Sequence, residues 1–238
     1  MPSEPILSER RDRVLVMTVN RPEVRNAFDF ATADALSNAL DELERDDELR
    51  VGVLTGAGGH FSAGMDLEAF QRGDVPYVAK RGIFGIVNAP PSKPLIAAVE
   101  GGALAGGFEL MLACDMVTAA AGALLDLPRR IPPAIAYELA LTGEPIAASR
   151  AAELGLVNRV TDAGGALDEA LRLAGEIAAN APLAVAASKR VLAETLSWDP
   201  GERWATQGEI AGPVLTSEDA KEGTRAFLEG RDPEWRGR

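Results

Sequence analysis

Leu95-Ile96-Ala97-Ala98-Val99-Glu100-Gly101-Gly102-Ala103-Leu104-Ala105-Gly106-Gly107-Phe108-Glu109 runs from an apolar strand through a glycine-rich bend into a helix. Leu95 to Val99 carries no polar side chain and reads as a buried strand. The helix is expected to open at about Gly106, with Glu109 in its first turn. A helix start leaves backbone N–H groups unpaired, and these can hold developing negative charge. Glycine lets a ligand approach such a backbone closely. Donors beside a carboxylate point to an enzyme that stabilises an oxyanion while moving a proton.

Upstream, Val14 to Val19 reads as a strand that Asn20-Arg21-Pro22 breaks. Asp29 is expected to cap a helix whose Leu36, Ala39, Leu40 and Leu43 share one face. Val51 to Leu54 is the next strand, and Asp115 to Thr118 another after the opening motif's helix. Strands separated by helix-length segments imply a mostly parallel sheet with crossover helices. Beyond Leu141 the chain turns mainly helical. Ala147 to Leu154 is a short helix, and Leu156 to Val160 is at most an isolated strand. Asn180 is expected to cap a helix with Pro182 in its first turn and Leu183, Ala187 and Val191 stacked at four-residue spacing. Ser217 to Glu229 makes the last helix, closed by Gly230.

Composition narrows the function classes. A chain of 238 residues, 47% hydrophobic and 25% charged, has enough apolar material for a sizeable core in a soluble globular protein. Its net charge of −12, with no basic run longer than a pair, argues against a nucleic-acid partner but not against a phosphorylated small molecule. Apolar runs are too short to cross a membrane, and the first residues lack the pattern of a signal peptide. The single cysteine, Cys114, lies in an apolar stretch, which suits a core thiol and a reducing, cytoplasmic location. With His60 the single histidine and Cys114 far from it, zinc is not expected. A Ser-His-Asp triad would have to use His60, and no Gly-x-Ser-x-Gly elbow accompanies it.

Three segments carry candidate chemistry. Gly56-Ala57-Gly58-Gly59-His60-Phe61 nearly spells a dinucleotide fingerprint, but Phe61 stands where its last glycine belongs. Phe61-Ser62-Ala63-Gly64-Met65-Asp66-Leu67 has two readings. It is either a small-residue turn entering a helix, with Asp66 as a first-turn acid, or the source of a second donor, the Met65 N–H, aimed at the same oxyanion as that of Gly106. No base is identifiable for Ser62 as a nucleophile. Glu109 is flanked by Phe108, Leu110, Met111 and Leu112, so a water-poor cleft suited to acid–base work is expected around it.

Taken together, these segments resemble the enoyl-CoA hydratase/isomerase (crotonase) superfamily over nearly the whole chain. Asn20-Arg21-Pro22 with Asn26-Ala27-Phe28 is similar to that family's Asn-Arg-Pro…Asn-Ala-Leu segment. Gly59 to Leu67 resembles its first oxyanion loop and Val99 to Leu110 its second. Leu141-Thr142-Gly143, Gly155 to Val160 and the closing Ser217 to Gly223 with Ala226-Phe227 also fit, in order. The resemblance implies an α/β fold: a crotonase-like spiral of ββα units over residues 1–180, then a C-terminal helical oligomerisation region over residues 181–238. It also implies trimers or dimers of trimers and an acyl-CoA thioester substrate, with coenzyme A part of the substrate and no separate cofactor. By position, the N–H groups of Met65 and Gly106 would form the oxyanion hole and Glu109 would be the catalytic carboxylate. Arg25, Ala27, Ser62, Ala63, Gly64, Asp66 and Leu67 would line the substrate path, with Arg25 a phosphate partner. Hydration of a 2-enoyl-CoA is the activity implied, with a one-base isomerase or a non-catalytic acyl-CoA binder as alternatives.

One departure stands out. Hydratases of this family carry a second glutamate after the strand equivalent to Asp115–Thr118. Here Ala119 to Ala123 passes almost directly to Leu124-Leu125-Asp126, and roughly twenty residues between familial flanks are missing, more than loop-length variation. Asp126 is the nearest acid, but its neighbours resemble the far flank. Either the protein carries a segment that this sequence leaves out, or the loss is real and one acid remains. Excising a stretch between sheet and helix should uncover core, which favours the first explanation.

Overall fold

The apolar stretches read as strands lie side by side in a computed structural model that describes residues 4–125 and 131–238. The chain opens with β1 (Ile6–Arg11) and β2 (Val14–Val19), then α1 (Phe30–Arg45) and β3 (Val51–Gly56). A short α2 (Leu67–Gln71) precedes the hairpin of β4 (Tyr77–Val78) and β5 (Gly82–Ile83). Next come β6 (Leu95–Val99), β7 (Gly102–Ala103), α3 (Gly106–Leu112), β8 (Met116–Ala120) and β9 (Leu124–Leu125). The rest holds α4 (Pro133–Thr142), β10 (Ile146–Ala147), α5 (Ala148–Glu153) and β11 (Arg159–Thr161). It ends with α6 (Ala166–Ala178), α7 (Pro182–Glu194), α8 (Arg203–Leu215) and α9 (Glu218–Glu229).

The main sheet runs β1-β2-β3-β6-β8-β11, parallel throughout except for β1 on β2. Beside it runs a second, thinner layer. Phe28 bridges Met65, Ser62 bridges Ala103, β7 pairs with β9 and β9 with β10. From β2 onward the chain repeatedly adds a main-sheet strand, a short stretch in the second layer and a helix. That is the spiral of ββα units expected from the resemblance.

Alternation along the central strands builds two cores, because successive side chains face opposite sides of a sheet. Leu15, Met17, Val19, Leu54, Leu95, Ala97 and Val99 pack with Leu36, Leu40 and Leu43 of α1. Val14, Val16, Val51, Val53, Ile96 and Ala98 face α6, whose Ala166, Ala170, Leu173, Ala174 and Ala178 recur at helical spacing. Asp29 caps α1 as expected, accepting from Thr32 N at 2.8 Å. Cys114 is buried in the α1-side core.

Two local expectations are corrected. The strand near Leu156–Val160 is not isolated: as β11 it joins the sheet edge, led in by Asn158, whose N–H and side-chain Oδ1 both bond Val117 at 2.9 and 2.8 Å. Asn180 does not cap α7. Its Nδ2 donates to Glu176 O at 2.9 Å, so it closes α6, and α7 begins at Pro182 with no side-chain cap. Asparagine suits both kinds of helix end, so local sequence does not choose between them. The final helix is as expected: Ala220 N donates to Ser217 Oγ at 3.0 Å, and Gly230 ends it in the left-handed region.

The chain beyond residue 181 ties back to the sheet. Lys189 Nζ donates to Lys93 O at 2.9 Å and to Asp115 at 2.7 Å, and Trp235 Nε1 donates to Ala179 O at 2.7 Å. Leu192, Leu196, Trp204, Leu215, Phe227 and Leu228 remain exposed on this region. Helix α4 is rich in apolar residues yet buries only Leu139, leaving Tyr137 and Leu141 exposed at 67% and 83%.

Candidate active site

Asn26 is the hub of the first loop. It is fully buried at φ 58°, a conformation asparagine tolerates better than most residues. Its Oδ1 accepts from Arg21 N at 3.0 Å, and its Nδ2 donates to Ala57 O and His60 O at 2.9 and 2.7 Å. Ser62 Oγ donates to Asn26 O at 2.8 Å and accepts from Gly64 N at 3.1 Å. That hydroxyl is buried and committed to the loop's shape, while His60 is exposed.

Met65 presents a free donor as a consequence. Phe28 N donates to Gly64 O at 2.7 Å, and Asp66 N donates to Phe28 O at 2.9 Å. The groups on either side of Met65 are thereby used. Among the described residues the Met65 N–H has no acceptor.

The second donor is zipped to the first. Phe61 N donates to Glu100 O at 2.9 Å, Ser62 N to Gly102 O at 3.1 Å, and Leu104 N to Ser62 O at 3.1 Å. Ala105 then takes φ 48°, and α3 begins at Gly106, whose N–H also lacks an acceptor among the described residues. Gly64, at φ 92°, touches this point: a Cβ there would stand 2.7 Å from Gly106 N. The two loops thus present both donors on contiguous backbone.

Glu109 stands in the first turn of α3, as expected. Its side chain is exposed, so among the described residues its apolar neighbours do not build the water-poor cleft expected around it. Phe108, Leu110 and Met111 turn into the core, while Glu109 points away from it. Leu124 on β9 and Tyr137 on α4 are exposed as well.

The remaining predicted residues surround the first loop. Asp66 is the N-cap of α2, accepting from Ala69 N at 3.0 Å and from Arg21 Nη2 at 2.9 Å. The Ala69 N–H first, then Arg21, hold its carboxyl below the usual range. Its charge is therefore spent inside the loop. Arg21 also donates to Ala27 O at 2.6 Å and pairs with Asp29 at 3.2 Å, joining the caps of α1 and α2. Ala27 is buried, Ala63 half-buried with its N–H on Arg25 O at 3.0 Å, and Arg25 and Leu67 are exposed at the rim. Asp126 lies outside the described residues.

Comparison with known proteins places this arrangement. The family model described as Enoyl-CoA hydratase/isomerase matches residues 9–238. The chain belongs to the enoyl-CoA hydratase/isomerase family. It is 39% identical to Enoyl-CoA hydratase EchA19 of Mycobacterium tuberculosis (strain ATCC 25618 / H37Rv), over 98% of this chain and 96% of that one. It is also 39% identical to the Carnitinyl-CoA dehydratase of Salmonella arizonae, over 99% of each. A crystal structure of enoyl-CoA hydratase from Mycobacterium tuberculosis H37Rv superposes with a TM-score of 0.97 at 49% identity, covering 99% of this chain and 100% of that one. The alignments to the two curated relatives span 256 and 260 positions, more than the 238 residues of this member of the enoyl-CoA hydratase/isomerase family. Relative to both, it is short of residues inside the matched region.

No sequence signal marks Phe84. It is buried, and its ring lies against Gly106, where a Cβ would stand 2.3 Å from Phe84 Cζ. The nearby Gly82 and Gly85 signal a turn but say nothing of what the ring reaches.

Proposed function

We propose that this chain is an enoyl-CoA hydratase, adding water across the double bond of a 2-enoyl-CoA thioester. The observation that carries the reading is the pair of unpartnered N–H groups, Met65 and Gly106, on contiguous backbone with Glu109 in the same helical turn as Gly106. The thioester oxygen would sit between the two donors. Water oxygen bonds to the β-carbon as a carboxylate takes the water's proton, and the double-bond electrons move onto the thioester oxygen as an enolate. The carboxylic acid then returns that proton to the α-carbon as the carbonyl re-forms, which leaves the carboxylate ready for the next turnover. Donors fixed before the charge develops stabilise it without solvent reorganisation.

Glu109 is the carboxylate in this scheme, and coenzyme A enters as part of the substrate with no further cofactor. Arg25 at the rim would meet a CoA phosphate, and the backbone of Ala27 and of residues 62–67 would line the path. The names of the relatives, a hydratase and a dehydratase of CoA thioesters, support the same chemistry run in either direction. The poorly covered α4 and the longer relatives support the view that the protein carries further residues near Ala123, with a second acid among them. A protein whose junction is as short as that in this sequence would instead fit the second reading, an isomerase that moves one proton with one base.

The exposed apolar residues of α7–α9 would join copies of the chain into a trimer or a dimer of trimers. A cytoplasmic location fits the single, buried cysteine. No described helix is long and apolar enough to cross a membrane. Loss of the enoyl absorbance band of crotonyl-CoA on adding the protein tests the reading. Tight binding of the thioester with no absorbance change would reject it in favour of a binding protein.

A further inference from the structure

Phe84 has no part in the chemistry above, yet its surroundings are built with unusual care. Its backbone takes φ 55°, a conformation in which a bulky residue persists only when its neighbours hold it there. Its N–H donates to Pro76 O at 2.7 Å. On one side Arg81, itself buried, donates to Asp41 of α1 and to Ala89 O, each at 2.7 Å. On the other, Gly85 lies so close to α1 that a Cβ would stand 2.1 Å from Ala33 O. The backbone carrying Phe84 is therefore clamped to α1 at both ends.

The ring makes two contacts that matter. One is with the backbone of Gly106 at the second donor. The other is with Phe28, edge-on, with centroids 5.5 Å apart and planes at 78°. Phe28 in turn holds the backbone on both sides of Met65. A chain of direct contacts thus runs from the first donor through two rings to the second. Aromatic rings packed edge to face are stiff spacers, since close-packed interiors leave them no room to slide.

We propose that the Phe28–Phe84 ring pair sets the separation of the Met65 and Gly106 N–H groups, making Phe84 a positioning residue for the reaction. This rests on the oxyanion reading of those two groups. A shift of about 1 Å in a catalytic group costs on the order of a hundredfold in rate, so a spacer behind the donors has a kinetic signature distinct from that of ordinary core packing.

The test uses the purified enzyme in its native assembly with Phe84→Leu, Phe84→Ala and, as a control, Leu43→Ala. Leu43 packs near Gly52 at the opposite end of β3. The probe is a 3-aryl-2-enoyl-CoA, whose absorbance moves to the red when its carbonyl is polarised by the two donors. Phe84→Leu is expected to lower kcat about tenfold and Phe84→Ala about a hundredfold, with KM within about threefold. The red shift should shrink in the same order. Leu43→Ala should lower the unfolding midpoint while keeping kcat and the red shift. If Phe84→Ala fails to fold, Phe84→Leu decides. A folded Phe84→Leu with unchanged kcat and full red shift would overturn the positioning role alone. A wild-type protein that binds the probe with no red shift would overturn the oxyanion reading, and this inference with it.

Discussion

Phe28 brackets Met65, donating its N–H to Gly64 O at 2.7 Å and accepting from Asp66 N at 2.9 Å. Gly64 C=O and Met65 N–H belong to one trans peptide and point opposite ways, so turning that carbonyl onto Phe28 turns the Met65 N–H away from it. A free donor at this position is thus a product of the bridge, and it needs no side chain of its own.

Gly64 is where the two donor loops touch. Its φ of 92° disfavours any other residue, and a Cβ would stand 2.7 Å from Gly106 N. Gly64→Ala should push the loops apart and lower kcat by about a hundredfold or more. Steady-state kinetics beside a denaturation curve will separate this from unfolding.

Ser62 holds the first loop through two hydrogen bonds and is 1% exposed. Ser62→Ala should cost about 1–3 kcal/mol of stability, read from denaturant unfolding. Turnover should stay within about tenfold of wild type, whereas loss of a nucleophile costs orders of magnitude more. A collapse of activity in a folded variant would give Ser62 a chemical role.

Asp41 sits 8% exposed between Lys80 and Arg81, with oxygens 2.6 and 2.7 Å from their nitrogens. Hydrogen bonds from Lys80 first and Arg81 second hold its carboxyl at about 2, below the ordinary 3.8. A depressed native value means stability that is fully present above the unfolded value and lost as pH falls from about 4 to about 2. The contribution is roughly 2 kcal/mol. Asp41→Asn should lack this acid-side loss and should be less stable near neutral pH by about 3 kcal/mol or more, because Arg81 stays buried without its partner. Unfolding measured across that pH range for both proteins checks the sign.

Asp29, the strand Leu95–Val99 and the helix opening at Gly106 were legible in the sequence because caps, apolar runs and glycines act locally. Asp66 was legible as an acid at a helix start, though it caps α2 from outside rather than lying in the first turn. Phe84 was not, because its partners Phe28 and Gly106 are distant in the chain and no periodicity links them. Glu109's exposure was not either, since cover over α3 comes from chain that packs against it and not from its apolar neighbours.

The junction near Ala123 has a direct check. Exposed Leu124, Tyr137 and Leu141, together with alignments longer than this chain, predict that the purified protein is heavier than the 25.0 kDa of this sequence. Intact-mass spectrometry reads this. A mass of 25.0 kDa would show that the second acid is truly lost and would favour one-base isomerase chemistry.

The most direct measurement is Glu109→Gln, with crotonyl-CoA turnover and thioester binding followed on the same folded protein. The substitution keeps the side chain's size and removes its basicity. Turnover should fall by about 10²–10⁴ while the Kd for the thioester holds. A variant that hydrates crotonyl-CoA at the wild-type rate would contradict the assignment of Glu109, and with it the site proposed around Met65 and Gly106.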